Sequence, residues 1–254
     1  MTQAFDSKDS RKQEMRHPDE KVARPKDAST LIIMRHDEDA TRILMGQRHS
    51  NHTFMPDKYV FPGGRVDRAD SRIRYGTDLR PAVEKHLLSH VRGNPSPTRA
   101  RTWALAAIRE TFEETGLLLG RPTNRKVLGQ SFKSRHEGWQ HYLSQGVEPD
   151  LSCLDFIARA ITPPYRARRF DTRFFLTTAE TIVNDSSDMS GASGELVGLR
   201  WFTLDEALTL DLPNITRIVL GEVATRLSLT PAQRARHPVP FIFFRKPGPM
   251  RINL

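Results

Sequence analysis

The sequence predicts a domain of the α+β class, in which strands come before and after one long helix. Residues 30–35 and 43–48 are short apolar runs separated by a polar turn, so we expect them to pair as strands. Residues 101–119 carry apolar side chains at helical spacing. A further strand is expected to reach the aromatic pair Trp201 and Phe202, just before a helix start. At 254 residues, the chain is long enough for one large domain with its own core.

The first 28 residues differ in composition from the rest. They alternate charges of both signs and offer little apolar surface, so we expect a disordered arm over residues 1–28. The folded domain is then expected to cover residues 29–254 as a single unit.

The overall charge and composition narrow the class of protein. A net charge of +9 suits a polyanionic ligand. Nucleic acid is not an expected partner, because the charges of the arm nearly balance and the other basic residues are mostly arginines near the presumed site. No apolar run approaches the roughly 18 residues of a membrane span. With one cysteine, Cys153, and no apolar secretory signal, the expected location is the cytoplasm.

The long helix has two chemically opposed faces. Its apolar stripe consists of Leu105, Ile108 and Phe112. Its acidic face consists of Glu110, Glu113 and Glu114. Three carboxylates near the C-terminal end of a helix repel one another and oppose the helix dipole, and a hard divalent cation such as Mg²⁺ or Mn²⁺ would resolve that conflict. The alternative is an exposed helix with a solvated acidic face.

A glycine turn precedes the helix and completes a motif. Phe61-Pro62-Gly63-Gly64 brings backbone close to a ligand, and together with R-E-T-F-E-E-T-G-L from Arg109 it resembles the signature of the Nudix hydrolase family. Thr111 occupies a position that is usually aliphatic. The first half departs further, because Asp70 stands where the family has glutamate and the spacing to Arg109 is longer. This indicates an insertion at about residues 71–99, with Asp67 or Asp70 as the acid that holds Arg109.

The resemblance implies the fold and the site. The fold would be an α/β/α sandwich in which a mixed sheet carries the signature helix, with an inserted helical segment. The metal, Mg²⁺ or Mn²⁺, would bind Glu110, Glu113, Glu114 and the Gly64 carbonyl. Glu110 is implied as either a ligand or the catalytic base, and Arg109 as the residue that orients the glutamates. Glu195, in a loop before a strand, is implied as a further catalytic carboxylate.

The remaining segments receive simpler assignments. We expect helices at residues 79–91, 151–161 and 215–227, and strands at 127–132 and 241–244. His86 and His90 have the i, i+4 spacing of a metal pair, but without a third ligand nearby they are interpreted as ordinary helical histidines.

Four arginines are candidates for binding the substrate. Arginine binds phosphate with two hydrogen bonds and stacks on bases, and the candidates are Arg48, Arg168, Arg169 and Arg173. The chain resembles the Nudix branch that includes peroxisomal coenzyme A diphosphatases. This implies hydrolysis of coenzyme A or acyl-coenzyme A to adenosine 3',5'-bisphosphate and a phosphopantetheine.

Other interpretations remain open. NADH, nucleotide sugars or capped RNA would be alternative substrates within the family, and a Nudix-fold module that binds nucleotides without cleaving them is an alternative of another class. A small-molecule nucleotide diphosphate is the expected partner in most of these cases, and the sequence leaves a homodimer open.

Overall fold

The computed structural model describes residues 15–17, 19–51, 55–123 and 136–254. Nine of the described strands form one mixed sheet, and two more form a small separate pair. The strands are β1 (Lys26–His36), β2 (Thr41–Arg48), β3 (Tyr59–Val60), β4 (Gly63–Arg65), β5 (Gly120–Pro122), β6 (Val147–Pro149), β7 (Asp155–Ile161), β8 (Phe170–Thr178), β9 (Leu196–Thr203), β10 (Pro240–Arg245) and β11 (Gly248–Asn253).

The main sheet runs in the order β11-β10-β7-β8-β1-β2-β3, with β4 paired to β1 and β9 paired to β2. The β1–β8 and β7–β10 pairs are parallel, whereas the other pairs are antiparallel. The short strand β4 places Gly63 opposite Thr30 and Arg65 opposite Ala28. This pairing fixes the glycine turn against the centre of the sheet.

Helices cover both faces of the sheet. They are α1 (Pro81–Leu87), α2 (Pro97–Thr115), α3 (Glu137–Ser144), α4 (Leu204–Thr209), α5 (Asn214–Leu227) and α6 (Pro231–Arg236). Alternate side chains of β1 point to opposite faces. Leu31 and Ile33 pack in the cluster that contains α2, and Ile32 and Met34 pack in the cluster that contains α5. The α+β class and the α/β/α sandwich are therefore confirmed.

Capping residues define both ends of the long signature helix, α2. Ser96 caps the N-terminus by accepting a hydrogen bond from the Arg99 amide, and Pro97 occupies the first turn. Gly116 ends the helix in the left-handed conformation at φ 77°. The helix thus begins at Pro97, inside the predicted insertion, and ends at Thr115.

The structure changes several segment assignments. The first strand begins at Lys26, and Met15 and Arg16 lie against residues 165 and 166, so the fold starts before residue 29. The predicted helix at 151–161 is wrong over most of its length, because Asp155–Ile161 is strand β7. Strand β7 lies inside the sheet, between β8 and β10, and its five central residues are buried on both faces. The sequence therefore lacks the alternation of apolar and polar residues that identifies a half-exposed strand.

The remaining points concern one predicted strand, the two histidines, the cysteine and the expected absence of a membrane span. The strand predicted at residues 127–132 lies outside the described residues. Helix α1 ends at Leu87, and His90 lies beyond it with a positive φ of 52°, so His86 and His90 do not form a helical pair. Cys153 is partly buried, and burial raises the pKa of its thiol to about 11. Within the described parts of the chain, no helix has the length and apolar character needed to cross a membrane.

Candidate active site

The site forms where the C-terminal half of α2 meets the glycine turn of β4. The Gly63 amide donates a hydrogen bond to Glu114 Oε2 at 2.7 Å. Gly63 has a φ of 153°, and a Cβ there would lie 2.5 Å from the Ser29 carbonyl oxygen, so glycine is required for this approach. At Gly64 a Cβ would lie 2.4 Å from Glu110 Oε2. Both glycines thus allow the turn to lie directly against signature carboxylates.

Arg109 is clamped by a buried aspartate. Its Nε and Nη2 donate to the two carboxylate oxygens of Asp70 at 2.8 and 3.1 Å, and both side chains are almost fully buried. Of the two acids that the sequence left open, Asp70 therefore holds Arg109. Asp67 supports it through its backbone, because the Asp67 amide donates to Asp70 Oδ2 at 2.7 Å.

The other side of the same guanidinium reaches the signature glutamates. Arg109 Nη1 donates to Glu110 Oε1 at 2.9 Å and to Glu113 Oε2 at 3.0 Å. Burial alone would lower the pKa of Arg109, but the hydrogen bond to Asp70 and the charges of Glu110 and Glu113 raise the pKa above its ordinary value. Arg109 therefore stays charged and orients two glutamates at once.

Glu110 and Glu114 have raised pKa values, because nearby positive charge does not fully offset their burial. Burial raises the pKa of Glu110 to about 7, and the nearby charges of Glu113 and Asp70 add to the effect while Arg109 opposes it. Burial also raises the pKa of Glu114 well above its ordinary value; Glu110 and Glu195 raise it further, and the Gly63 amide and Arg48 oppose this. A cation between these carboxylates would relieve the repulsion.

A metal therefore suits the donor set, although the described side chains are not already arranged around one point. Among the described residues, no group of three histidines, cysteines or acids has the geometry of a metal cluster. In this arrangement Glu110 and Glu113 each accept a hydrogen bond from Arg109. The carboxylate oxygens are nevertheless the hard ligands that Mg²⁺ and Mn²⁺ prefer.

The glutamates face a pocket of about 480 Å³. Its lining includes the carboxylates of Glu110, Glu113, Glu114 and Glu195 and the guanidinium groups of Arg48 and Arg168. It also includes apolar side chains: Met55, Val60, Phe61, Phe170, Phe174 and Ile215. Its size lies within the range of small-molecule sites. The combination can accommodate a ligand that has both anionic and flat apolar parts.

The structure separates the four candidate arginines. Arg169 lies outside the pocket lining and donates to the backbone carbonyls of Thr162 and Ala23. Arg173 is fully buried, pairs with Asp27 at 2.8 Å and stacks 3.8 Å from the Trp103 ring centre. Burial lowers the pKa of Arg173 to about 10. Of the four predicted arginines, the pocket lining therefore contains Arg48 and Arg168, whereas Arg169 and Arg173 lie outside it and make contacts within the fold.

Helix α3 and the residue that precedes it, His136, add site residues that the sequence interpretation missed. His136 lines the pocket, with its Nδ1 3.5 Å from Glu113 Oε1. Trp139 is fully buried and donates its indole N–H to Asp70 Oδ1 at 2.7 Å. The spacing of the buried Trp139, Tyr142 and Leu143 is i, i+3, i+4, which is the helical pattern that could have revealed α3.

The raised pKa of Glu110 predicts how stability varies with pH. Because the pKa rises from 4.5 to about 7 on folding, the folded protein keeps a proton that the unfolded chain releases between these values. The free energy of unfolding without metal should therefore fall by on the order of 3 kcal/mol as pH rises from about 4.5 to 7. Urea unfolding in EDTA at pH 5 and pH 8 measures this, and Glu110→Gln should remove much of the difference. An unchanged pH dependence in that variant would contradict the assignment.

Comparison with known proteins assigns the chain to a family. The family model described as the NUDT19 Nudix domain matches residues 25–212. The acyl-coenzyme A diphosphatase NUDT19 of Gallus gallus is 29% identical over 212 residues, covering 65% of this chain and 55% of that protein. The human protein of the same name is 27% identical over 210 residues, covering 65% and 54%. The chain spans about half the length of these relatives.

A solved structure supports the fold independently. The NUDIX hydrolase from Alicyclobacillus acidocaldarius superimposes with a TM-score of 0.58 and 26% sequence identity, covering 80% of this chain and 93% of that one. The family model covers well over half of the chain and includes both the glycine turn and the signature helix. The chain therefore belongs to the Nudix hydrolase family, within its NUDT19 group.

Proposed function

We propose that the protein is a metal-dependent pyrophosphohydrolase that cleaves the diphosphate of a nucleoside diphosphate linked to a second group. The observation that carries this proposal is the pair formed by the buried Glu114 and the largely buried Glu110, which lines a pocket that also contains Arg48 and Arg168. Buried carboxylates with raised pKa values are common at catalytic sites. A purely structural helix would gain nothing from them.

The proposed metal ligands are Glu110, Glu113 and Glu114, with the Gly64 carbonyl as a further donor. Bound Mg²⁺ or Mn²⁺ would neutralise the diphosphate charge and lower the pKa of a coordinated water. Arg109 donates hydrogen bonds to Glu110 and Glu113 and would orient both carboxylates for the metal. The base that accepts the water proton is either Glu110 or Glu195.

Glu195 is the proposed further catalytic carboxylate beside the metal ligands. It is exposed, lines the pocket and raises the pKa of Glu114 through its charge. It lies in the loop before β9, on a different element from the signature helix. A carboxylate in that place can approach the attacking water or the metal from a second element of the fold.

The preferred substrate in this proposal is coenzyme A or an acyl-coenzyme A, with adenosine 3',5'-bisphosphate and a phosphopantetheine as products. Similarity to proteins named acyl-coenzyme A diphosphatase supports it. The pocket supports it as well, because Phe170 can contact a flat base and Arg168 can bind a phosphate. NADH, nucleotide sugars and capped RNA are the alternative substrates.

Product analysis tests the proposal. The protein is incubated with Mg²⁺ or Mn²⁺ and a panel of coenzyme A, acyl-coenzyme A, NADH, ADP-ribose, nucleotide sugars and capped RNA. Cleavage of coenzyme A to the bisphosphate, absent with Glu114→Gln, is the expected result. Cleavage of another compound alone would overturn the substrate and keep the reaction. Tight nucleotide binding without any cleavage would indicate a non-catalytic module.

The adjacent residues Arg168 and Arg169 provide a matched test of which arginine binds the substrate in the pocket. Arg168→Ala should raise the KM for the cleaved substrate roughly 10–100-fold with little change in kcat, because a charge-assisted hydrogen bond contributes about 1.5–3 kcal/mol. Arg169→Ala should leave KM unchanged and lower the unfolding temperature, since Arg169 binds backbone carbonyls instead. Steady-state kinetics and thermal unfolding of both variants measure the contrast. Equal KM values for the two variants would contradict the placement of Arg168.

A further inference from the structure

Trp139 is connected to Arg109 through one buried carboxylate, Asp70. Asp70 Oδ1 accepts hydrogen bonds from Arg109 Nε at 2.8 Å and from the Trp139 indole at 2.7 Å. Asp70 Oδ2 accepts from Arg109 Nη2 and from the Asp67 amide. Asp70 thus has a partner on each side of its contact with Arg109, and both of its oxygens are fixed.

Burial makes this arrangement rigid. Trp139 and Asp70 are fully buried, and Arg109 is only 2% exposed. Hydrogen bonds in such surroundings are electrostatically stronger than in water, and a lost donor is not replaced by solvent. The orientation of Asp70 therefore depends on the indole N–H as well as on Arg109.

Helix α3 also contacts the signature helix directly. A Cβ at Gly138 would lie 1.5 Å from Glu113 Oε1, so the backbone of α3 lies against that carboxylate. The ring of Tyr142 packs edge-on against both Phe112 and Trp139, with centroid separations of 5.3 Å. These ring contacts dock α3 on the signature helix and hold the indole against Asp70.

We propose that Trp139 is a positioning residue for the metal site, acting through Asp70 and Arg109 on Glu110 and Glu113. The proposal rests on the proposed function, since it assumes that these glutamates bind a divalent cation. Trp139 lies outside the signature motif, 69 residues from Asp70. A rotation of Asp70 would move the guanidinium that donates to both glutamates.

A pair of variants in the same helix tests the proposal. Trp139→Phe removes the indole donor and keeps an aromatic ring. Tyr142→Phe also removes one buried donor, the hydroxyl that bonds to the Leu119 carbonyl at 2.5 Å, but this donor has no contact with Asp70. The readouts are the Mn²⁺ dissociation constant of the substrate-free protein, by calorimetry, and the unfolding temperature in EDTA.

Both variants should unfold at a lower temperature than the wild type. Only Trp139→Phe should weaken Mn²⁺ binding, by roughly 10–100-fold, as expected when a group that orients metal ligands is removed. Wild-type Mn²⁺ affinity in Trp139→Phe, or equal weakening in both variants, would overturn the inference alone. A wild-type protein that binds no Mn²⁺ would overturn the proposed function, and the inference would fall with it.

The wild-type protein gives a second measurement if Trp139→Phe does not fold. The chain has three tryptophans, so three indole N–H resonances can be followed in the ¹⁵N-labelled protein. We expect Mg²⁺ to shift the Trp139 resonance more than that of Trp201, whose indole donates to the Ser186 carbonyl. Equal shifts, or none at Trp139 when Mg²⁺ binds, would overturn the inference.

Discussion

Glu114→Gln should abolish hydrolysis and leave the metal-free protein at least as stable as the wild type. The rate should fall at least roughly 10²–10³-fold, the loss typical when one preorganised electrostatic group is removed. The glutamine carbonyl oxygen can still accept the hydrogen bond that the Gly63 amide donates to Glu114 Oε2. The substitution also removes an acid whose buried charge is unfavourable without a cation.

The measurement combines kcat in saturating Mg²⁺ with the unfolding temperature in EDTA. Glu38→Gln is the matched control, because Glu38 is exposed in the turn between β1 and β2 and lies outside the pocket lining. It should change neither quantity. An active Glu114→Gln protein would remove Glu114 from the metal site. A lower unfolding temperature in EDTA would show that the negative charge stabilises the fold, contrary to the burial argument.

The signature helix was predictable because local and tertiary signals agree there. A capping serine, a first-turn proline and a terminal glycine define its ends, and the apolar stripe defines its inner face. The acidic face was equally clear in sequence. What the spacing could not show is that Glu114 is buried while Glu113 is partly exposed, because the turn at Gly63 covers only one of them.

Other parts of the site depend on long-range contacts that no local pattern encodes. Arg173 was grouped with the phosphate-binding arginines by composition, yet Trp103 from α2 covers it and Asp27 from β1 neutralises it. Strand β7 lacked the alternation of a half-exposed strand because both of its faces are covered. The choice between Asp67 and Asp70 likewise depended on how a loop folds, which the sequence left open.

Asp70→Asn should destabilise the protein by about 3–5 kcal/mol, the usual cost of removing one partner from a buried ion pair. Asparagine has nearly the same shape, so packing is preserved and the effect isolates the charge. Its amide group cannot accept hydrogen bonds from both Arg109 Nε and Nη2, as the Asp70 carboxylate does. Arg109 then remains buried with a charge that only Glu110 and Glu113 offset.

A double-mutant cycle separates this ion pair from simple packing. In the Arg109→Met background the buried cation is absent, so Asp70→Asn should cost much less, because it removes an uncompensated acid instead of breaking a pair. Urea unfolding of the four proteins in EDTA gives the coupling energy directly. An equal cost of Asp70→Asn in both backgrounds would mean that Asp70 stabilises the fold through Trp139 and the Asp67 amide alone. Coupling of several kcal/mol would instead show that an aspartate 39 residues before the signature arginine performs the holding role across the insertion.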